Sequence, residues 1–146
     1  MCRRRCRRCE TPSGIDVAFY VDTSASVKLV VAGAETEALR SWLSAQPRDP
    51  VACDVARTEL LRAIRRVAPD RVVRARAVLD AVTLVEVTTA IFEAAGRLDP
   101  TIVRTLDAVH LAAALDLGDD LDGLITYDER MASAAAANGI AVTSPT

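Results

Sequence analysis

Hydrophobic positions along the chain fall into short runs separated by longer amphipathic stretches. The runs are rich in valine, isoleucine and leucine, are typical of buried strands, and lie at residues 17–21, 51–53, 83–87, 123–126 and 140–142. The stretches between them favour helices at about residues 23–31, 35–45, 54–67, 69–81, 88–98, 105–117 and 128–138. Alternating strands and helices predict an α/β fold of three layers, with a short, mostly parallel sheet of four to five strands between helices.

Two of these helices carry specific expectations. Asp54 is placed to cap the helix at 54–67. We expect its inward side chains to be Leu60, Leu61, Ile64 and Val67. The helix that Thr105 opens is apolar on nearly every side, so we expect it to be central and buried. Its apolar residues are Leu106, Val109, Leu111, Leu115 and Leu117.

Length and composition limit the class of protein. The chain has 146 residues, of which 51% are hydrophobic and 26% charged, which is typical of one globular domain with an adequate core. No stretch approaches the roughly 18 to 20 apolar residues that a membrane span needs. The basic N-terminus is not followed by the apolar segment of a signal peptide, so we expect a cytoplasmic protein without a membrane partner.

Charge is distributed unevenly. The net charge is −2, but five arginines lie within the first eight residues. Without residues 1–14, 13 basic residues face 19 acidic ones, a net charge of −6. An acidic domain binds a polyanion poorly unless bound metal neutralises some of its carboxylates.

The basic N-terminal tail contains three of the four cysteines, Cys2, Cys6 and Cys9. Their spacing matches the cluster-binding loop of radical S-adenosylmethionine enzymes, and together with Cys53 they offer four thiolates for a metal. The terminal position and the arginine spacers favour a disordered tail, or a true translation start near Val17. We therefore expect residues 1–14 to stand apart and residues 15–146 to form a single domain.

Four acidic residues fall where a parallel sheet binds its ligands. Asp22 and Asp128 follow the first and fourth predicted strands, and Glu59 and Asp107 lie near helix starts. Each alone has a structural explanation, since an acid after a strand often caps a helix. Four carboxylates in one cleft repel one another, however, and indicate a Mg²⁺ or Mn²⁺ site that activates water for phosphodiester hydrolysis.

Four segments resemble the motifs of PIN domains. These are residues 19–25, 58–60, 105–114 and 126–131, and the third is close to the family's D-A-x-H-L-A-x-A sequence. They occur in the family's order and spacing across residues 17–143. At this length the chain resembles VapC toxins of type II toxin–antitoxin systems. The resemblance implies a metal-dependent endoribonuclease that cleaves RNA, a homodimer, and a cognate antitoxin that blocks the site.

The resemblance also implies roles for individual residues. The catalytic and metal-binding set is Asp22, Glu59, Asp107 and Asp128. Residues that orient these carboxylates from behind are Thr23, Ser24 and Thr126. The single histidine, His110, is interpreted as structural, because metal-activated water requires no imidazole base.

Arginines crowd the two helices between residues 54 and 81. The full set is Arg57, Arg62, Arg65, Arg66, Arg71, Arg74 and Arg76. Such residues are typical of solvated helix faces, and they also suit contact with RNA phosphates or with an acidic antitoxin segment. The candidates for that contact are Arg57, Arg62, Arg65 and Arg66.

Three other classes of protein share part of this pattern. Residues 22–26 satisfy D-x-S-x-S, the metal-dependent adhesion motif of von Willebrand A binding modules. A haloacid dehalogenase-type phosphatase requires a second acid at position 24, where this chain has Ser24, and is excluded. A PIN nuclease of RNA processing shares the same site residues, and differs from a toxin in lacking an adjacent antitoxin gene.

Overall fold

The computed structural model describes residues 18–146. The expectations for the basic tail, for Cys2, Cys6 and Cys9, and for a translation start near Val17 lie outside the described residues.

Within residues 18–146, five short strands form one sheet in which every neighbouring pair is parallel. The strands are β1 (Ala18–Val21), β2 (Val51–Cys53), β3 (Thr83–Val85), β4 (Leu121–Ile125) and β5 (Val142–Thr143). Their order across the sheet is β3-β2-β1-β4-β5. The predicted sheet is confirmed, although β3 ends two residues earlier and β5 begins two residues later than the pattern predicted.

Helices make the crossovers that parallel strands require. They are α1 (Thr23–Val30), α2 (Thr36–Ser44), α3 (Val55–Val67), α4 (Val72–Ala81), α5 (Thr89–Gly96), α6 (Thr105–Asp116) and α7 (Glu129–Ala137). Gly139, with φ of 76°, follows α7 in the left-handed conformation that glycine adopts most easily. In the part of the chain that the structure describes, no helix is long and apolar enough to cross a membrane.

Alternation along the strands divides the core between the two faces of the sheet. Tyr20 and Leu124 point into a cluster with α5, α6 and α7. Their neighbours Val21 and Ile125 point into a smaller cluster with α1 and α2. A third cluster, which includes Leu60 of α3, joins α1, α3 and α4 to one another rather than to the strands.

Several side-chain expectations are wrong. Val67 is 66% exposed, because α3 buries only one face. Leu106 and Leu115 are 48% and 38% exposed because they lie at the two ends of α6. The middle of α6 is buried on all sides over residues 108–114, as expected of a central helix. Asp54 begins α3 but its side chain caps no amide of that helix. Its Oδ1 instead accepts the Val87 N–H at 3.3 Å, which ties the start of α3 to the chain beyond β3.

We predict that Ile64→Ala lowers the free energy of unfolding by about 2–5 kcal/mol, the usual cost of a cavity in a packed core. Ile64 is fully buried on α3, between α1 and α4. The matched control is the exposed Val67→Ala on the same helix, which should change stability by no more than about 0.5 kcal/mol. Urea unfolding of both variants measures the difference, and equal losses would contradict the assignment of the inward face.

Candidate active site

The sheet order creates a crevice at its carboxyl edge. From β1 the chain proceeds through α1 and α2 to β2 on one side, and from β4 through α7 to β5 on the other. Ligands of parallel sheets bind at such a switch point. Asp22 follows β1 directly, and Asp128 lies shortly after β4, so both acids border this crevice.

Asp22 is buried, with 6% of its surface exposed. Its Oδ2 accepts hydrogen bonds from Ser24 Oγ at 2.7 Å and from Thr126 Oγ1 at 2.9 Å. The side chain does not cap α1, so the structural explanation for an acid at this position fails. Both hydroxyls bond Oδ2, and no side chain within residues 18–146 donates to Oδ1.

The two hydroxyls that hold Asp22 are themselves fixed by backbone amides. Ser24 Oγ accepts the Tyr127 N–H at 3.0 Å, and Thr126 Oγ1 accepts the Asp128 N–H at 3.1 Å. Each hydroxyl therefore accepts one hydrogen bond from a backbone N–H and donates one to the carboxylate. The structure brings Ser24 and Thr126 to a carboxylate, as predicted, but it does not bring Thr23 to one.

Asp128 has both a structural and an electrostatic position. Its Oδ1 accepts the Arg130 N–H at 2.8 Å and the Met131 N–H at 3.3 Å, so the side chain caps α7. The simple explanation of Asp128 as a helix cap is correct for this oxygen. The cap also fixes the carboxylate at the rim of the crevice, because the amides belong to a helix anchored in the core.

Glu59 reaches the site from α3 and contacts a buried histidine. His110 of α6 is fully buried and its Nε2 bonds Glu59 Oε1. Burial lowers the pKa of His110, whereas its contacts with Cys53 and Glu59 raise it, and the net effect is a pKa of about 10. Sequence patterns did not point to Tyr20 or Cys53 as neighbours of this histidine, since nothing local links residues on three different elements.

The pKa of Asp107 reflects the charges of the other three acids. Asp107 lies in the first turn of α6, where burial raises the pKa of its carboxyl. The negative charges of Asp22, Asp128 and Glu59 raise this pKa further, while His110 lowers it. The four acids that the sequence singled out therefore share one electrostatic environment.

The fit of this site to a metal ion can be tested on its atoms. Across residues 18–146, no three Asp, Glu, His or Cys side chains lie close enough together to enclose an ion. The donor set is all oxygen, as Mg²⁺ and Mn²⁺ prefer. Nearby, the buried Thr23 Oγ1 has no hydrogen-bond partner among the described residues. The chemistry fits a hard divalent cation.

A basic groove lies beside the acids. It has a volume of about 530 Å³, and its lining is Thr23, Glu59, Arg62, Ala63, Arg65 and Arg66. Arg62 and Arg66 follow Glu59 by three and seven residues along α3, which places them on one helix face. In the described part of the chain, none of the three arginines pairs with an acid. Arg57, predicted with them, is exposed and does not line the groove.

The sequence matches known proteins over nearly the whole described region. The model of the PIN domain family matches residues 19–137. The chain therefore belongs to the PIN-domain family.

Its relatives within that family are VapC ribonucleases. Ribonuclease VapC46 of Mycobacterium tuberculosis is 43% identical over 129 residues, which cover 88% of this chain and 98% of the relative. Ribonuclease VapC47 of the same species is 37% identical over 131 residues, covering 87% and 96%. This membership removes the hypothesis of a von Willebrand A module.

Solved structures share the fold at lower identity. Mycobacterium tuberculosis VapC20, described as a sarcin–ricin loop cleaving toxin, superposes with a TM-score of 0.72 at 21% identity, covering 88% of this chain and all of that one. A toxin–antitoxin complex from Klebsiella pneumoniae gives a TM-score of 0.68, also at 21% identity, covering 88% and 98%. The PIN-like three-layer α/β/α fold is confirmed.

We predict that Asp107→Asn stabilises the metal-free protein. Because the folded state raises the pKa of Asp107, the ionised carboxylate opposes folding above that pKa, and the neutral amide removes the penalty. The melting temperature at pH 7 should rise by a modest amount, because Asp107 is only partly buried and solvent screens its charge. The gain should shrink as the pH falls below the raised pKa, where the wild-type carboxyl is protonated. Calorimetry in chelator at both pH values checks this, and an unchanged or lower melting temperature at pH 7 would refute it.

Proposed function

We propose that the protein is a metal-dependent endoribonuclease toxin whose catalytic residues are Asp22, Glu59, Asp107 and Asp128. The observation that carries the proposal is the placement of the acids in one crevice, where Asp22 follows β1, Asp128 caps α7 after β4, and Asp107 lies within the electrostatic influence of the other three. Chains similar along nearly their whole length are ribonucleases, which supports the same activity here. The toxin role is supported by VapC20 and by the Klebsiella pneumoniae complex, which share the fold.

The four carboxylates are the proposed ligands, directly or through water, of Mg²⁺ or Mn²⁺, and PIN ribonucleases are generally metal-dependent. When bound, such an ion lowers the pKa of water and offsets the charge that develops on the phosphate. The chain's own contribution is orientation. Ser24 and Thr126 bond Oδ2 of Asp22 and leave Oδ1 without a side-chain donor among residues 18–146. The amides of α7 bond Oδ1 of Asp128 and leave its Oδ2.

We predict that the purified protein, freed of any antitoxin, cleaves RNA only when Mg²⁺ or Mn²⁺ is added. Asp22→Ala and Asp107→Ala should each reduce cleavage by more than about 100-fold, which exceeds the usual effect of residues behind a metal ligand. The matched control is Asp122→Ala, which removes an exposed acid from β4 outside the crevice. Gel analysis of total RNA measures the products. Failure of the folded, metal-supplied wild type to cut, or equal loss in the control, would overturn the proposal.

The basic groove is proposed to hold RNA phosphates beside the scissile bond. Arg62 and Arg66 lie on the same face of α3 as Glu59, and none of the three groove arginines pairs with an acid within residues 18–146. A row of free guanidinium groups next to acidic residues suits a polyanion that enters the crevice by one phosphate and continues along the helix. The positive charge of these arginines also offsets, locally, the net negative charge of the domain.

We predict that Arg62→Gln with Arg66→Gln weakens RNA binding and flattens its salt dependence. Loss of two phosphate contacts should reduce the slope of log K against log salt by about 1.4, at roughly 0.7 per contact with single-stranded nucleic acid. Binding is measured by fluorescence anisotropy on the non-cleaving Asp22→Ala background. The control pair Arg71→Gln with Arg97→Gln removes the same charge from exposed residues outside the groove. Equal effects of the two pairs would show that net charge alone matters. An unchanged slope in the groove pair would assign the groove to another ligand, such as an acidic antitoxin segment.

Two protein partners complete the proposal. A cognate antitoxin that covers the crevice is supported by the fold shared with a toxin–antitoxin complex. A homodimer is supported by large apolar side chains left exposed near the start of α6, namely Ile102 at 88% and Phe92 at 53%. Such side chains are buried more favourably against a partner than in water.

A further inference from the structure

Three fully buried residues connect Glu59 to the centre of the sheet. The Cys53 N–H at the end of β2 donates to Tyr20 Oη at 3.0 Å. Tyr20 Oη lies 2.7 Å from His110 Nδ1, and His110 Nε2 bonds Glu59 Oε1. Tyr20, Cys53 and His110 are all 0% exposed. The hydrogen bonds thus run from β2 through β1 and α6 to α3.

The direction of these hydrogen bonds follows from their first donor. A backbone amide only donates, so Tyr20 Oη accepts from Cys53 and has its own proton available for His110 Nδ1. A neutral ring that accepts at Nδ1 carries its hydrogen on Nε2 and donates it to Glu59. A protonated ring donates from both nitrogens and still gives Nε2–H to Glu59. The remaining neutral tautomer would direct a lone pair at a carboxylate. In its neutral form and in its protonated form, His110 therefore donates the same Nε2–H to Glu59.

The side chain of Glu59 depends more on such a contact than those of Asp22 and Asp128. Asp22 and Asp128 have short side chains held at the sheet edge by hydroxyls and amides. Glu59 has a longer side chain, and the next residue on α3, Leu60, packs into the cluster with α1 and α4 rather than against the strands. An untethered glutamate of this kind occupies several rotamers, and fixing one of them costs side-chain entropy.

We propose that Tyr20 and His110 are positioning residues that hold the Glu59 carboxylate in place for the metal ion. Tyr20 lies on β1, two residues before Asp22. The strand that leads into Asp22 therefore also helps to fix Glu59. The proposal rests on the proposed function, because it assumes that Glu59 is a metal ligand. It predicts that loss of the tether weakens binding of the cation to the free protein, while a purely structural hydrogen bond would alter only stability.

The decisive measurement is Mn²⁺ binding to the full chain without RNA, followed by electron paramagnetic resonance of the free ion. Tyr20→Phe and His110→Leu should each weaken binding by about 10- to 100-fold, as loss of an orienting partner typically does. His110→Gln keeps an N–H donor near the position of Nε2 and should recover most of that loss. In a Glu59→Gln background, Tyr20→Phe should have no further effect, because the residue that it positions is no longer a carboxylate.

The control for fold damage is Thr36→Val. The Thr36 hydroxyl is also buried and makes two hydrogen bonds of 2.8 Å, to Lys28 O and from Gly33 N–H, away from the acids. The Thr36→Val substitution should lower the melting temperature and leave Mn²⁺ affinity unchanged. If His110→Leu fails to fold, Tyr20→Phe decides the question, because it removes a single hydroxyl and keeps the ring.

The outcomes separate the two proposals. Normal Mn²⁺ binding by Glu59→Gln would remove Glu59 from the proposed ligand set and overturn the assumption. Weak binding by Glu59→Gln with normal binding by folded Tyr20→Phe and His110→Leu would overturn the positioning role alone. Losses from Tyr20→Phe that simply add to those from Glu59→Gln would show that the tyrosine does not act through Glu59, and would also overturn it.

Discussion

Negative charge gathered around Asp107 in the crevice is the constraint on which the candidate site depends. Burial and the charges of Asp22, Asp128 and Glu59 raise the pKa of Asp107, so its ionised carboxylate opposes folding. The fold is held together instead by the aliphatic clusters on both faces of the sheet and among α1, α3 and α4. A domain with so few aromatic residues achieves this by packing alanine-rich helices closely against short strands.

The partners of these acids differ in charge. Asp22 is held by hydroxyls and Asp128 by backbone amides, which orient a carboxylate without cancelling its charge. Glu59 is held by the imidazole of His110, whose raised pKa favours the cation and an ion pair. Within residues 18–146 no lysine or arginine pairs with any of the four. An arginine pair would relieve the repulsion and would also remove the attraction for a cation. The free arginines are instead placed beside the acids, in the groove along α3.

Sequence patterns predicted the sheet and all seven helices, because strand runs and helix periodicity are local features. Strand-end position and helix starts also singled out the four acids, whose role as site residues stays a prediction. Contacts between distant elements could not be predicted in this way. Asp54 bonds Val87 rather than its own helix, and Val67 faces solvent because α3 buries a narrower face than its apolar residues imply. His110 was interpreted as structural, and its burial agrees, but its contact with Glu59 joins residues that are 51 positions apart. The one available signal was a lone histidine three residues after Asp107 in an apolar helix.

The divided packing of α3 has a consequence for how the enzyme loses activity. Leu60 and Ile64 belong to a cluster with α1 and α4, whereas Ala56 near the start of the helix belongs with Tyr20 and Leu124 to the main core of the sheet. A protein whose packing is divided in this way opens in parts, and the parts differ in their free energy of opening. If the α3–α4 unit loosens first, Glu59 and the groove arginines leave the crevice together while the strands and the other three acids stay in place. Heat or mild denaturant would then inactivate the enzyme through a partly open state that remains largely folded and recovers on cooling or dilution.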